Sequence, residues 1–131
     1  MIYRFIFLLF LSSPIFAQTI QEKLEFTKKA MEENNYKNII VYQDDVLEHY
    51  RKNDNELYIK FLEKFSDANS FLGNYKKALE INLEVVKLKE KVLGNDYPDY
   101  LNSLGNLAYN YKDLGNYKKA LEINLEVVKL K

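Results

Sequence analysis

The chain is 131 residues long, with 19 basic and 19 acidic side chains and 47% apolar residues. That is room for one domain with a core of its own, and it leaves no net field that would draw the chain to a phosphate backbone. There is no cysteine, which excludes disulfides and thiolate metal sites, and the few glycines and prolines leave room for long helices.

Met1–Ala17 reads as an export signal. Arg4 is its only charge, Phe5–Leu11 is an unbroken apolar run, Ser12-Ser13-Pro14 breaks it, and Ala17 is the small residue at the expected cut. Ile15 departs from the small residue usual there. An uncleaved anchor is the competing reading, but a spanning helix needs about 20 apolar residues and this segment has fewer, with a proline inside. Cleavage near Ala17 is therefore expected. It gives a periplasmic or extracellular protein, Gln18–Lys131, with no membrane contact and no cysteine to carry a lipid.

After the signal, Ile20–Glu33 has the pattern of a helix, and Asn34-Asn35 that of a turn. Tyr36 opens a second helix, with Ile39, Ile40, Val41, Val46 and Leu47 on its apolar side. Asn53-Asp54-Asn55 marks the next turn, and Leu57–Phe71 the next helix. A break at Gly73-Asn74 precedes a helix from Tyr75 to about Leu93, stopped by Gly94. Asn95-Asp96 is a turn signal and Pro98 suits the first turn of a helix. Leu101, Leu104, Leu107, Ala108 and Tyr111 then recur at spacings of three and four, the amphipathic helix period. Gly115-Asn116 ends that run. Tyr117 opens the last helix, with Ala120, Leu121, Ile123, Val127, Val128 and Leu130 on its apolar side.

One repeat is plain in the letters. Leu72–Lys89 and Leu114–Lys131 both read LGNYKKALEINLEVVKLK, at an offset of 42 residues. Chance does not produce this in a chain of ordinary complexity, so the unit was duplicated. The expected organisation is a degenerate helix pair at 18–56, then repeats at 57–96 and 97–131.

A helix pair joined at Gly-x-Tyr, with Ala three residues after the Tyr, resembles the tetratricopeptide repeat. Leu104, Leu107, Ala108, Tyr111, Gly115, Tyr117 and Ala120 match its pattern, as do Gly73, Tyr75 and Ala78 one unit earlier, where Asn69 replaces the Tyr. The 42-residue spacing, Pro98-Asp99 and Leu93-Gly94-Asn95-Asp96 are similar to the kinesin-light-chain variety. Asn82 and Asn124 stand where the family usually has an aromatic or aliphatic residue, and Val85 and Val127 where it has Ala, so looser or shifted packing is expected there. The resemblance implies an all-α solenoid of about three antiparallel helix pairs wound as a right-handed superhelix. It implies no catalysis and no cofactor. Its partner is a protein or peptide, taken on the concave side lined by the first helix of each pair.

On the first helix of the last pair, the face beside the core carries Asn102, Asn106, Tyr109 and Asp113, with Lys112 adjacent. Amides offer donor and acceptor together, so a row of them can grip a peptide backbone without reading its sequence. The equivalent positions one unit earlier are Lys60, Lys64, Asp67 and Phe71, with Glu63 and Ser70 near. The bland reading is a merely solvated face; it weighs equally for Asn106 and Tyr109 and more heavily for the rest. His49, four residues after Asp45, is a weak metal pair, better read as a surface histidine among ion pairs. Glu80, Glu84, Glu122 and Glu126 lie among lysines at helical spacing and read as solvated ion pairs rather than acid–base groups. The tyrosines lack a basic groove, so a nucleic-acid platform has no support.

Lys131 is the last letter of the duplicated block, and nothing polar caps the final helix. Three readings follow: a fragment of a longer protein (the preferred one), end-to-end self-association through that helix, or a tolerated bare end. A repeat-bearing sensory or oligomerising stub of a larger exported receptor is the alternative to a free-standing scaffold.

Overall fold

A computed structural model describes residues 19–94 and 97–131. The export segment and the Asn95-Asp96 turn lie outside the described residues. Among these residues there are seven helices and no strand: α1 (Ile20–Glu32), α2 (Tyr36–Ile39), α3 (Gln43–Asn53), α4 (Asn55–Phe71), α5 (Tyr75–Leu93), α6 (Pro98–Asp113) and α7 (Tyr117–Leu130). They group into two compact units, divided after Phe61, inside α4.

The turn within each pair is built the same way three times. Asn34, Gly73 and Gly115 take φ of 52°, 82° and 80°, the left-handed region that glycine and asparagine tolerate best. The amide of the next residue then reaches back over the last turn: Asn35 to Ala30 O at 2.9 Å, Asn74 to Asn69 O at 2.8 Å, Asn116 to Tyr111 O at 2.8 Å. This closes helix carbonyls that would otherwise lack partners. Asn35 and Asn116 also cap the following helix, each side chain accepting from the amide three residues on at 3.2 Å.

In the first unit, Leu24, Phe26 and Ala30 of α1 are buried along with Ile39 of α2 and Val46, Leu47 and Tyr50 of α3. The second helix of this pair is not continuous, as the sequence pattern suggests, but interrupted at Ile40–Tyr42. The β-branched run Ile39-Ile40-Val41 restricts side-chain freedom in a helix, and tertiary contacts fix the restart. The Tyr42 ring meets Phe26 edge-on at 5.4 Å, and Asp45 pairs with Lys23 at 2.8 Å. Tyr50 stacks on Phe61 at 4.9 Å. Arg51 donates to the Tyr58 hydroxyl from Nε and Nη2, both at 3.2 Å. The expected three-residue turn at Asn53–Asn55 contracts to Asp54, whose carboxylate accepts from the Leu57 amide at 3.1 Å, so α4 starts two residues sooner than the sequence suggests.

The second unit is an α-solenoid of stacked pairs, α4's second half with α5 and α6 with α7. Pro98 opens α6 with Asp99 in its first turn, where a fixed φ and a negative charge both suit a helix start. Tyr100, Leu101, Leu104, Leu107 and Ala108 of α6 bury against Ala120 and Ile123 of α7, with Leu79 and Val86 of α5 packed on the same cluster. Each buried leucine contributes about 2 kcal/mol by area. In the earlier pair Leu62, Phe65 and Ala68 of α4 and Ala78, Ile81 and Val85 of α5 are buried at the equivalent positions. Small residues allow close helix approach: Ser66, in the register of Ala108, donates to the Ala78 carbonyl at 3.3 Å. Asn69, in the register of Tyr111, is 1% exposed. It replaces ring packing with hydrogen bonds, donating to Phe65 O at 2.7 Å and accepting from Asn74 Nδ2 at 3.2 Å.

Candidate functional site

The first helices of the two well-formed repeats, α4 and α6, lie side by side. Asn110 donates to Ser70 Oγ across them at 3.4 Å. Behind this contact, α5 ties both helices together. Asn82, buried on α5, donates its amide to Asn110 Oδ1. Lys89, also on α5, has a side chain 6% exposed and is held by two carboxylates, Glu63 of α4 and Asp99 of α6, the second at 3.0 Å. Burial alone would lower the Lys89 pKa. The bonds to Glu63 and Asp99 outweigh it, and the pKa lies above the ordinary lysine value. No buried side-chain N or O among the described residues lacks a hydrogen bond. Packing at Asn82 is therefore polar and specific, and Val85 beside it is 1% exposed, so the expected looseness is absent at this copy.

On the strip of α6 next to that anchor, Asn102, Asn106, Tyr109 and Asp113 are all exposed, as is Lys112. Positions four, three and four apart share one helix face. Tyr109 is 64% exposed, and Lys112 Nζ sits 5.3 Å from its ring centre, which holds a cation over the aromatic face. Among the described residues, neither Asn102 nor Asn106 has a side-chain hydrogen bond, so four amide donors and two carbonyl acceptors face outward. Gly105 lies between them; a Cβ there would meet nothing within 4 Å.

On α4, Lys64, Asp67 and Phe71 repeat this face one unit earlier and are exposed too, Phe71 at 70%. Lys60 belongs to the first unit and pairs with Glu56 at 3.5 Å. Desolvation is the main cause of the raised pKa of Asp67, followed by the opposing charge of Lys64 and the repulsion of Glu63. The structure thus brings Lys64, Asp67, Asn102, Asn106, Tyr109, Lys112 and Asp113 onto adjoining helices. Its charges alternate in sign, and its aromatic and amide groups stand out between them.

Several residues fall outside this surface. Glu63 and Ser70, expected near it, are used to join α4 to its neighbours. Asp45 pairs with Lys23, while the His49 ring meets Tyr50 at 5.0 Å. Among the described residues no cluster of His, Asp and Glu could hold a metal ion, and no helix is long and apolar enough to cross a membrane. Sequence reasoning missed Lys89, which looks like one more surface lysine in a Lys-Glu-rich helix. Its signal is positional: Asp99 lies on the first turn of the next helix, where α5 and α6 run antiparallel.

The Tetratricopeptide repeat family model matches residues 62–131. The chain belongs to the tetratricopeptide repeat family. The match covers more than half of the chain and coincides with the second compact unit, which begins at Leu62. Tetratricopeptide repeats mediate protein–protein interactions, and the family is typically a non-catalytic scaffold. No curated protein matches this chain.

Proposed function

We propose that this tetratricopeptide repeat protein is an interaction scaffold that takes an extended segment of a partner protein along the first-helix face of α4 and α6. One observation carries the reading: the outward amides of Asn102 and Asn106 beside the exposed Tyr109 ring, on a helix whose position is fixed by Asn82 and Lys89. Unsatisfied amides match the alternating donors and acceptors of an extended backbone. The ring adds apolar area at low entropic cost. The mixed charges of Lys64, Asp67, Lys112 and Asp113 suit a peptide of balanced charge better than a strongly acidic tail, which Asp67 would repel.

The export pattern of Met1–Ala17 supports an extracytoplasmic setting, and a cysteine-free chain folds there without oxidative chemistry. Expression in a bacterial host with intact export machinery, followed by mass determination, tests this. Loss of the first seventeen residues is the expected result, and a retained leader contradicts it.

The binding reading is tested by selecting peptides from a random displayed library on the immobilised chain. Substituting Tyr109→Ala and Asn106→Ala together then lowers the affinity of the selected peptides about tenfold or more, on the scale of removing interface anchors, with the helical signal unchanged. Selected peptides that bind both forms equally sink the proposed face.

A further inference from the structure

The first-helix face does not stop where Asn110 meets Ser70. One turn further along α4 and α6 lies an open hollow of about 530 Å³, lined by Gly73, Asn74, Tyr75, Lys76, Lys77 and Leu114. The Gly73 amide donates to the Ser70 carbonyl at 3.1 Å, and the Leu114 amide to the Asn110 carbonyl at 3.2 Å. Each wall thus follows directly on a residue of the cross-helix contact, and the hollow is continuous with the face. Gly73 has φ 82°, and a Cβ built on it would meet nothing within 4 Å. The glycine that the left-handed turn favours therefore leaves the floor of the hollow open. Tyr75 and Leu114 supply apolar walls that remain 39% and 38% exposed. Lys76 and Lys77 stand at the rim; Lys76 is exposed and, among the described residues, has no ion-pair partner. Across 70–77 and 110–117 the chain has three lysines, Lys76, Lys77 and Lys112, against one acid, Asp113. The field at this end of the two helices favours a negative group.

We propose that this hollow takes the end of the partner segment, by an apolar side chain and a carboxylate. The apolar side chain fills the space between Tyr75 and Leu114, and an Asp or Glu side chain two positions away meets Lys76 and Lys77. The inference rests on the reading that an extended segment lies along α4 and α6. Alternate residues of an extended chain share one face, about 7 Å apart, so a single face of the segment serves both wall and rim. The segment also acquires a polarity: its acid lies at the turn, and a basic residue lies back along α4 against Asp67. That arrangement is balanced in charge without being uniform. Residues 1–18 of this chain hold Arg4 and no acid, so that stretch does not meet the description.

The test uses the full chain and peptides selected on it from a random displayed library, with affinities read by fluorescence anisotropy at physiological ionic strength. Exposed charges more than about 8 Å apart are largely screened there. The hollow predicts that the selected sequences share an apolar residue and a carboxylate two positions apart, and that changing either to Ala weakens binding to the wild-type chain. Lys76→Glu combined with Lys77→Glu lowers affinity about tenfold, because like charges are brought together, with the helical signal unchanged. A peptide whose acid is changed to Lys regains affinity on that variant. Lys118→Glu with Lys119→Glu, the same letters in the second copy, leaves affinity unchanged. Selected sequences without the shared pair, an equal effect of the two double substitutions, or no rescue by the swapped peptide would overturn the proposal. If the Lys76 and Lys77 reversal is silent while Tyr109→Ala with Asn106→Ala weakens binding, the hollow fails and the first-helix face stands. If the reversal weakens binding and Tyr109→Ala with Asn106→Ala does not, the hollow stands as a site and the face fails.

Discussion

Asn82 and Asn124 have identical neighbours in sequence for many residues on either side and differ only in what covers them, so Asn→Ala at each isolates one tertiary contact. Removing the Asn82 amide leaves Asn110 Oδ1, on a residue 4% exposed, without the donor that reaches it across the helices. An orphaned buried acceptor costs about 1–3 kcal/mol. Alanine's better helix propensity returns about 0.5 kcal/mol, so a net loss of about 0.5–2.5 kcal/mol is expected. At Asn124, which is exposed, only the propensity change remains, and the variant is unchanged or stabilised by about 0.5 kcal/mol. Urea unfolding followed by circular dichroism measures both, with a shift in midpoint at constant slope as the signature of a stability change. Asn110→Ala in the Asn82→Ala background completes a double-mutant cycle and isolates the pair. Equal destabilisation at both positions would refute the reasoning, because it would place the cost in the helix itself and not in its contact.

Three further substitutions read the same structure. Lys89 has a raised pKa in the folded state, so its contribution is complete below the unfolded lysine value of about 10.4 and fades as pH rises through the folded one. Lys89→Met should cost about 1 kcal/mol, discounted because Glu63 and Asp99 are partly exposed, with a gap to wild type that holds from pH 7 to 9 and narrows only above about 10.5; closure by pH 9 would contradict the assignment. Asp67 also titrates upward, chiefly through desolvation, which makes its charged form the unfavourable one; Asp67→Asn should raise the melting temperature at pH 7 and lose that advantage as pH falls through the folded and then the unfolded pKa. Gly105→Ala fills space that is open in a helix interior and should stabilise by about 0.5–1 kcal/mol, while adding a methyl group to the proposed peptide face; loss of stability would mean that a neighbour closer than the structure shows resists the methyl.

Much of this architecture was legible in the letters because the elements are strongly periodic. The duplication, the stop at Gly94, the start at Pro98 and the breaks at Gly73 and Gly115 each rest on one local rule, and each holds. Asn34 was readable as a turn, and its left-handed backbone makes it a true equivalent of the two glycines. The interruption at Ile40–Tyr42 was not legible, because the apolar period runs straight through it and the restart depends on Phe26 and Lys23, many residues away. The exposed face of Asn102, Asn106 and Tyr109 followed from helical spacing alone. The frame that fixes α6 did not: Lys89 carries a charge that spacing assigns to solvent, and its pairing with Glu63 and Asp99 holds it in the interior. Asn82 was visible as a departure from the family pattern, but its meaning lay in Asn110, twenty-eight positions on.

The claim that the first-helix face is the peptide-binding surface is tested most directly by nuclear magnetic resonance. Backbone amide shifts of the isotope-labelled chain would be followed as a library-selected peptide is added. The account predicts perturbations concentrated at Lys64, Asp67, Asn102, Asn106, Tyr109 and Asp113. Perturbations confined to the outer face of α7, or to the turns at Gly73 and Gly115, would contradict it.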